Sequence, residues 1–171
     1  MSKKKKGVFL CIAAGILALT VLLFWIWYAW PRSFSAFGVT EPNTDTIYCL
    51  AIEARVREGT PVIDTYRIQL EDGDEVQNVM NLLKDSSYSR LYQNLFPKSA
   101  GSFGSENEGE DSVTVSITFL YENGGNNFLF LDNGKGRLMK QDGKAVYFKT
   151  DKFLIERLAG YIKEKGIKQE Q

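Results

Sequence analysis

Between Gly7 and Trp30 the chain carries no charged side chain, and it enters that run directly from Lys3, Lys4, Lys5 and Lys6. A hydrocarbon core ~30 Å thick needs about 20 helical residues. These twenty-four meet that with a little spare for tilt, and the hydroxyl of Thr20 is the one polar group of note ahead of the aromatic end. The pattern predicts a transmembrane helix over 7–30, ended by Pro31, which lacks an amide donor and crowds the preceding turn. Trp25, Trp27, Tyr28 and Trp30 gather at its C-terminal end, where amphipathic rings favour the headgroup layer. The lysines mark the opposite face. The positive-inside bias then makes residues 1–6 a cytoplasmic basic segment and sets all that follows the helix outside the cytoplasm, a single-pass arrangement in the cell membrane. Arg32, alone on the far side, is too weak to reverse this, and the lysine run also attracts anionic lipid.

Three other leaders share a basic start. A cleaved signal peptide has small residues at Ser33 and Ser35 for cleavage after Ser35, but its apolar region is normally ~7 to 15 residues. A lipoprotein needs a small residue before its cysteine, and Leu10 precedes Cys11. A type IV prepilin resembles Lys6-Gly7-Val8-Phe9-Leu10, yet Ile12 stands where that pattern has glutamate, and Pro31 interrupts the long first helix of a pilin. The uncleaved anchor fits best.

The balance of charge narrows the partners. Lys and Arg equal Asp and Glu at 21 each, but residues 1–32 hold five basic groups and no acid. The remainder is net acidic, with 16 basic against 21 acidic groups, and so lacks the footprint that supplies most nucleic-acid affinity. Within it, the basic excess lies at the C-terminal end, in Lys135, Lys140, Lys144, Lys149, Lys152, Lys163, Lys165 and Lys168. This excess reads as a solvated face or as one that meets an acidic partner. Cys11 lies in the apolar run and Cys49 beyond it, so no intrachain disulfide is available. Cys49 reads as a small buried apolar residue.

After a linker over 31–45, the elements of one domain over 46–165 follow. Tyr48, Leu50, Ile52, Ala54 and Val56 alternate with Cys49, Ala51, Glu53 and Arg55, the period of a half-buried strand. Val62, Tyr66, Ile68 and Leu70 make the second arm of a hairpin. Val76, Val79, Met80 and Leu83 fall at helical spacing, with Asp74 and Gln77 as the cap. Val113, Val115, Ile117, Phe119 and Tyr121 form the clearest strand. Three more follow over 128–131, 137–141 and 144–149, the last two joined at Asp142-Gly143, which predicts a type I′ turn. Asp151 caps a last helix whose apolar face is Leu154, Ile155, Leu158, Tyr161 and Ile162, and 166–171 is a polar tail. The fold class is α+β: an N-terminal transmembrane helix, then one domain with an antiparallel sheet packed on two helices, ordered ββα-ββββ-α. Arg67–Leu83 and Val146–Ile162 echo one another as strand, acidic cap and amphipathic helix.

That succession over residues 46 to 163, with the Val113–Tyr121 and Ala145–Tyr161 stretches, resembles the TATA-box-binding-protein-like fold. It is also similar to an uncharacterised family of small membrane-tethered or lipoprotein ectodomains of Gram-positive bacteria. The resemblance implies a fold and a location and brings no activity with it.

The chain has no histidine, which excludes Ser-His-Asp and Cys-His nucleophilic sites and histidine-ligated zinc. Gly134-Lys135-Gly136 lacks the length and the following helix of a phosphate loop. No spacing singles out a pair of carboxylates for glycoside hydrolysis. The expectation is a protein that is not an enzyme and needs no cofactor or metal. Two features stand out as an interaction surface: the aromatic group Tyr88, Tyr92, Phe96 and Phe103, and the acidic group Glu106, Glu108, Glu110 and Asp111. The aromatics suit a peptide or glycan surface, while the plainer reading is core that closes one end of the sheet. The acids are hard oxygen ligands that could hold calcium, but they lack the EF-hand order, and a solvated loop is the better account. The expected partners are the lipid bilayer, through Gly7–Trp30, and another membrane or envelope protein. The alternatives are a ligand- or cation-sensing ectodomain and, further off, a carboxylate-based hydrolase.

Overall fold

The computed structural model describes residues 3–37, 46–57, 60–95 and 111–169. The chain divides into two compact units, Met1–Trp30 and Pro31–Gln171. The first is a single helix, α1 (Lys3–Ala29), of which Cys11–Ala29 is long and apolar enough to cross a membrane. Thr20 donates its hydroxyl to the Ile16 carbonyl at 2.8 Å, so the polar group in the apolar stretch is satisfied within the helix. The helix stops one residue before Trp30, because a residue that precedes proline is pushed out of the helical region.

The second unit is an α+β domain built on one sheet. Its strands are β1 (Thr46–Arg57), β2 (Thr60–Leu70), β3 (Ser89–Arg90), β4 (Ser112–Leu120), β5 (Asn126–Asp132), β6 (Lys135–Met139), β7 (Ala145–Lys149) and β8 (Ile167–Gln169). Its helices are α2 (Gly73–Lys84) and α3 (Lys152–Lys165). The strands lie in the order β3-β7-β6-β5-β4-β1-β2-β8, every pair antiparallel. Helix α2 carries the chain from β2 across to β3 at the far edge, and α3 carries it back from β7 to β8. The two crossings run in opposite senses over the same face. Val79, Leu83, Leu154, Leu158 and Ile162 bury there against Val115, Ile117, Phe119, Leu129 and Leu138.

The ββα and ββββ-α successions are present, and three readings of the sequence are corrected. In β1 the core face is Ile47, Cys49 and Ala51, while Tyr48 and Val56 are exposed. Both faces of this strand are apolar, so periodicity alone cannot choose between them. The register chooses: Ile47, Cys49 and Ala51 pair with Phe119, Ile117 and Val115 of β4, whose inward face is unambiguous. The cap of α2 is Asp72, which accepts from the Asp74 amide at 2.8 Å, not Asp74 itself. Asp151 caps α3 in the same way, through the Phe153 amide at 3.0 Å. The type I′ turn lies at Asn133-Gly134, with φ of 44° and 72°, rather than at Asp142-Gly143, where Gly143 alone is left-handed. There the Gly143 amide bonds the Lys140 carbonyl and the Lys140 amide bonds the Lys144 carbonyl, each at 2.9 Å, which is a type I turn closed by a glycine bulge.

The ends of the domain also differ from expectation. Residues 31–37 belong to the fold. Arg32 and Tyr88 exchange backbone hydrogen bonds of 2.8 and 2.9 Å, and the turn Phe34–Phe37 buries both of its phenylalanines. Their rings lie 5.3 Å from Tyr88 and from Phe148 respectively, closing the β7 end of the core. At the other end, Ile167–Gln169 is not tail but strand, paired with Thr65–Arg67 of β2.

Candidate binding surface

Both helices cover one face of the sheet. Alternation along each strand sends the intervening side chains to the other face, which neither α2 nor α3 covers. Read across the strands at one level, that face presents Gln69, Tyr48, Thr118, Phe128 and Met139. At the next level it presents Arg67, Leu50, Ser116, Phe130, Arg137 and Tyr147, with Ile167 beyond Arg67 on β8. Eight large apolar side chains are exposed on the described part of the domain, and five of them (Tyr48, Val56, Ile63, Phe128 and Ile167) stand on this face. Tyr92, Leu95 and Phe153 are elsewhere. The exposed apolar groups are thus gathered on one face rather than scattered singly over the described domain.

Two adjoining hollows give it relief. One, of about 760 Å³, is lined by Tyr48, Leu50, Arg67, Phe128 and the Lys165–Ile167 segment, with Ser116 and Thr118 supplying hydroxyls. The second, of about 310 Å³, lies between Phe128, Phe130, Arg137 and Met139. They share Phe128.

The charge of this face opposes that of the chain after Arg32. Arg67, Lys135, Arg137 and Lys149 point to it, against Asp132 and, at the end of β2, Glu71. Gln69 donates its side-chain amide to Glu71. Gln169, with its side-chain oxygen turned toward Arg67, accepts from Nε and Nη1 at 3.1 Å and holds that guanidinium in place. Arg137 lies over the Tyr147 ring, its central carbon 6.0 Å from the centroid, and donates from Nη2 to Met139 Sδ at 2.7 Å. Asp132 is 7% exposed, and its Oδ1 is buried with no hydrogen-bond partner among the described residues. Burial raises its carboxyl above the ordinary value, and the Lys135 charge offsets part of that rise.

The basic residues near the C-terminus do not share a face. Lys163 binds Glu53 at 3.0 Å, Lys168 binds Asp64 at 2.6 Å and Lys165 stands 3.6 Å from Glu75, tying the end of α3 and β8 to neighbouring elements. Lys144 pairs with Asp142 inside its own turn. Of the expected interaction residues, Tyr88 is wholly buried, its hydroxyl donating to the Leu83 carbonyl at 2.8 Å, so it is core and not surface. Tyr92 is exposed on the turn Tyr92–Asn94. Asp111 accepts from the Val56 amide at 3.2 Å. Phe96, Phe103, Glu106, Glu108 and Glu110 lie outside the described residues. Among the described residues no three His, Cys, Asp or Glu side chains gather as a metal site. Cys49 is buried under the helices, and burial pushes its thiol up to about 12, which leaves it protonated and unreactive at neutral pH.

The chain matches no family model, no curated protein and no solved structure. The uncovered sheet face was not singled out from sequence. Its signal was present, because β1 and β5 are apolar at both parities while only one face of an antiparallel sheet is needed for the core.

Proposed function

We propose that this is a single-pass membrane protein, N-terminus in the cytoplasm, whose extracytoplasmic domain binds another membrane or envelope protein and carries out no catalysis of its own. One observation carries the reading: five of the eight large apolar side chains exposed among the domain's described residues share one sheet face with Arg67 and Arg137. Aromatic and arginine side chains are the groups most enriched where protein partners bind, and a patch with both is costly to leave in water without a use. The absence of histidine supports the non-catalytic part. The strand and helix succession also supports a TATA-box-binding-protein-like arrangement, with β3 and β8 as additions at the two edges.

The test is crosslinking in native membranes with the full-length protein, beside a version whose Gly7–Trp30 is replaced by an unrelated span. A partner captured by both versions places recognition in the domain. A partner lost on replacement assigns recognition to the membrane helix and sinks the reading.

The hollow of about 760 Å³ favours a second reading, a domain that senses a small ligand, since binding clefts commonly fall between ~300 and 1,000 Å³. A thermal melt against calcium, glycan and peptide panels tests it. No shift with any of them ends it.

A further inference from the structure

We infer that the uncovered sheet face receives an extended acidic peptide segment of the partner, laid across the strands with one carboxylate on Arg67 and another on Arg137. This rests on the reading of that face as a partner-binding surface. Arg67 on β2 and Arg137 on β6 occupy the same level of the sheet, four strand intervals apart. At ~4.8 Å per interval the separation is about 19 Å, and an extended peptide rises ~3.3 Å per residue, so the two acids stand six residues apart. In an extended chain, residues i and i+6 point to the same side. So do i+2 and i+4, which then meet Leu50 and Tyr48 on one strand and Phe128 and Phe130 on another.

Each part of the face has a use in that arrangement. Gln169 already fixes the Arg67 guanidinium, and Tyr147 supports that of Arg137, so both planar forks are held for bidentate carboxylate binding. Ser116 and Thr118, in the lining of the larger hollow, bring hydroxyls to the peptide main chain. The same layout weighs against two other occupants. A polyanion charged at every unit would bury charges over Leu50 and the phenylalanines, where nothing neutralises them. A second copy of this domain, packed face to face, would bring arginine against arginine with only Glu71 and Asp132 to compensate.

The test uses the full-length protein in neutral-lipid nanodiscs and a dye-labelled peptide, Glu-Thr-Leu-Thr-Phe-Thr-Glu, read by fluorescence anisotropy. Binding is expected. Arg67→Gln and Arg137→Gln should each weaken it about tenfold, and together remove it. Lys152→Gln, on α3, should leave it unchanged, and each variant's melting curve checks that the fold is kept. Four results overturn the proposal: equal affinity in the arginine variants, equal affinity for a peptide with its two acids adjacent, tighter binding of short-chain polyphosphate, or a dimer that dissociates in the double variant. The membrane crosslinking separates the two levels. If the partner is still captured through the domain by the Arg67→Gln, Arg137→Gln protein, the peptide site is wrong while the binding function stands. If no capture depends on the domain, both fall.

Discussion

Asn94 does the work of a missing strand. Its side chain accepts from the Tyr147 amide at 2.7 Å and donates to the Tyr147 carbonyl at 2.6 Å, so one side chain satisfies both polar groups of a β7 residue beyond the short β3. A third bond, to the Leu91 carbonyl at 2.8 Å, holds the amide in this pose. Asn94→Ala leaves the partly buried Tyr147 amide unmatched, while the Leu91 amide at 3.0 Å still serves the Tyr147 carbonyl; the cost is ~1 to 3 kcal/mol, and a urea titration should show that loss. Asn94→Asp restores the acceptor and places a charge against the Tyr147 carbonyl, so it should not rescue. A second residue, Asp132, sets a pH dependence of known sign. Its carboxyl is raised above 3.8 in the folded chain, so the folded state holds its proton longer than the unfolded state does. Below 3.8 both states are neutral and the residue contributes nothing. As pH rises past that value the unfolded chain ionises first, and stability falls until the folded carboxyl has ionised too. Asp132→Asn should therefore be the more stable protein at neutral pH, with the difference vanishing near about pH 3. A difference that persists in acid would mean that packing, not charge, separates the two.

Among the elements, what could be read from the sequence was whatever local chemistry decides. Val115, Ile117 and Phe119 alternate without ambiguity, and Asp151 stands directly before an apolar helical stripe, so β4 and α3 fall where periodicity puts them. What escaped depends on neighbours. The inward face of β1 is set by its register with β4. The choice between turn types at Asn133-Gly134 and Asp142-Gly143 is set by strand lengths on either side, since both dipeptides satisfy the same rule. β3 and β8 are too short to show a period, and they exist because α2 and α3 deliver the chain to the two sheet edges. The candidate surface escaped for a related reason, as it is the set of residues left over once the core face has been chosen. Gly136 makes the same point in packing. It pairs across β6 and β7 with Phe148, and a Cβ there would lie 2.1 Å from that ring and 2.9 Å from Leu131. The Phe148 ring occupies the space a side chain would take. Gly136→Ala should thus cost ~1 to 3 kcal/mol by overpacking, although alanine is otherwise the better strand residue. A combined Gly136→Ala, Phe148→Leu protein, which returns the space, should recover part of that loss in the same chemical denaturation assay.

At the scale of the whole molecule, the domain's own core decides where it begins, and that bears on whether the apolar N-terminal helix can be cut away without loss. Arg32 bonds Tyr88 through two backbone hydrogen bonds, and Phe34 is 1% exposed with its ring 5.3 Å from Tyr88 and 6.5 Å from Phe119. Cleavage after Ser35, the one position where the leader offers a small-residue site, would remove both and leave a cavity the size of a phenylalanine beside Tyr88. Losing a buried phenylalanine costs ~3 to 5 kcal/mol, a large part of the ~5 to 15 kcal/mol that holds a domain together. A processed protein would release a weakened domain, whereas an uncleaved one keeps the core whole and the domain tethered. Two soluble forms measure this directly, one beginning at Pro31 and one at Ala36. The Pro31 form should melt cooperatively and higher, by roughly 10 °C or more for a domain of this size, and Phe34→Ala in that form should account for most of the gap. Equal melting of the two forms would mean that the first turn adds nothing to the core, and cleavage after Ser35 would then carry no structural penalty.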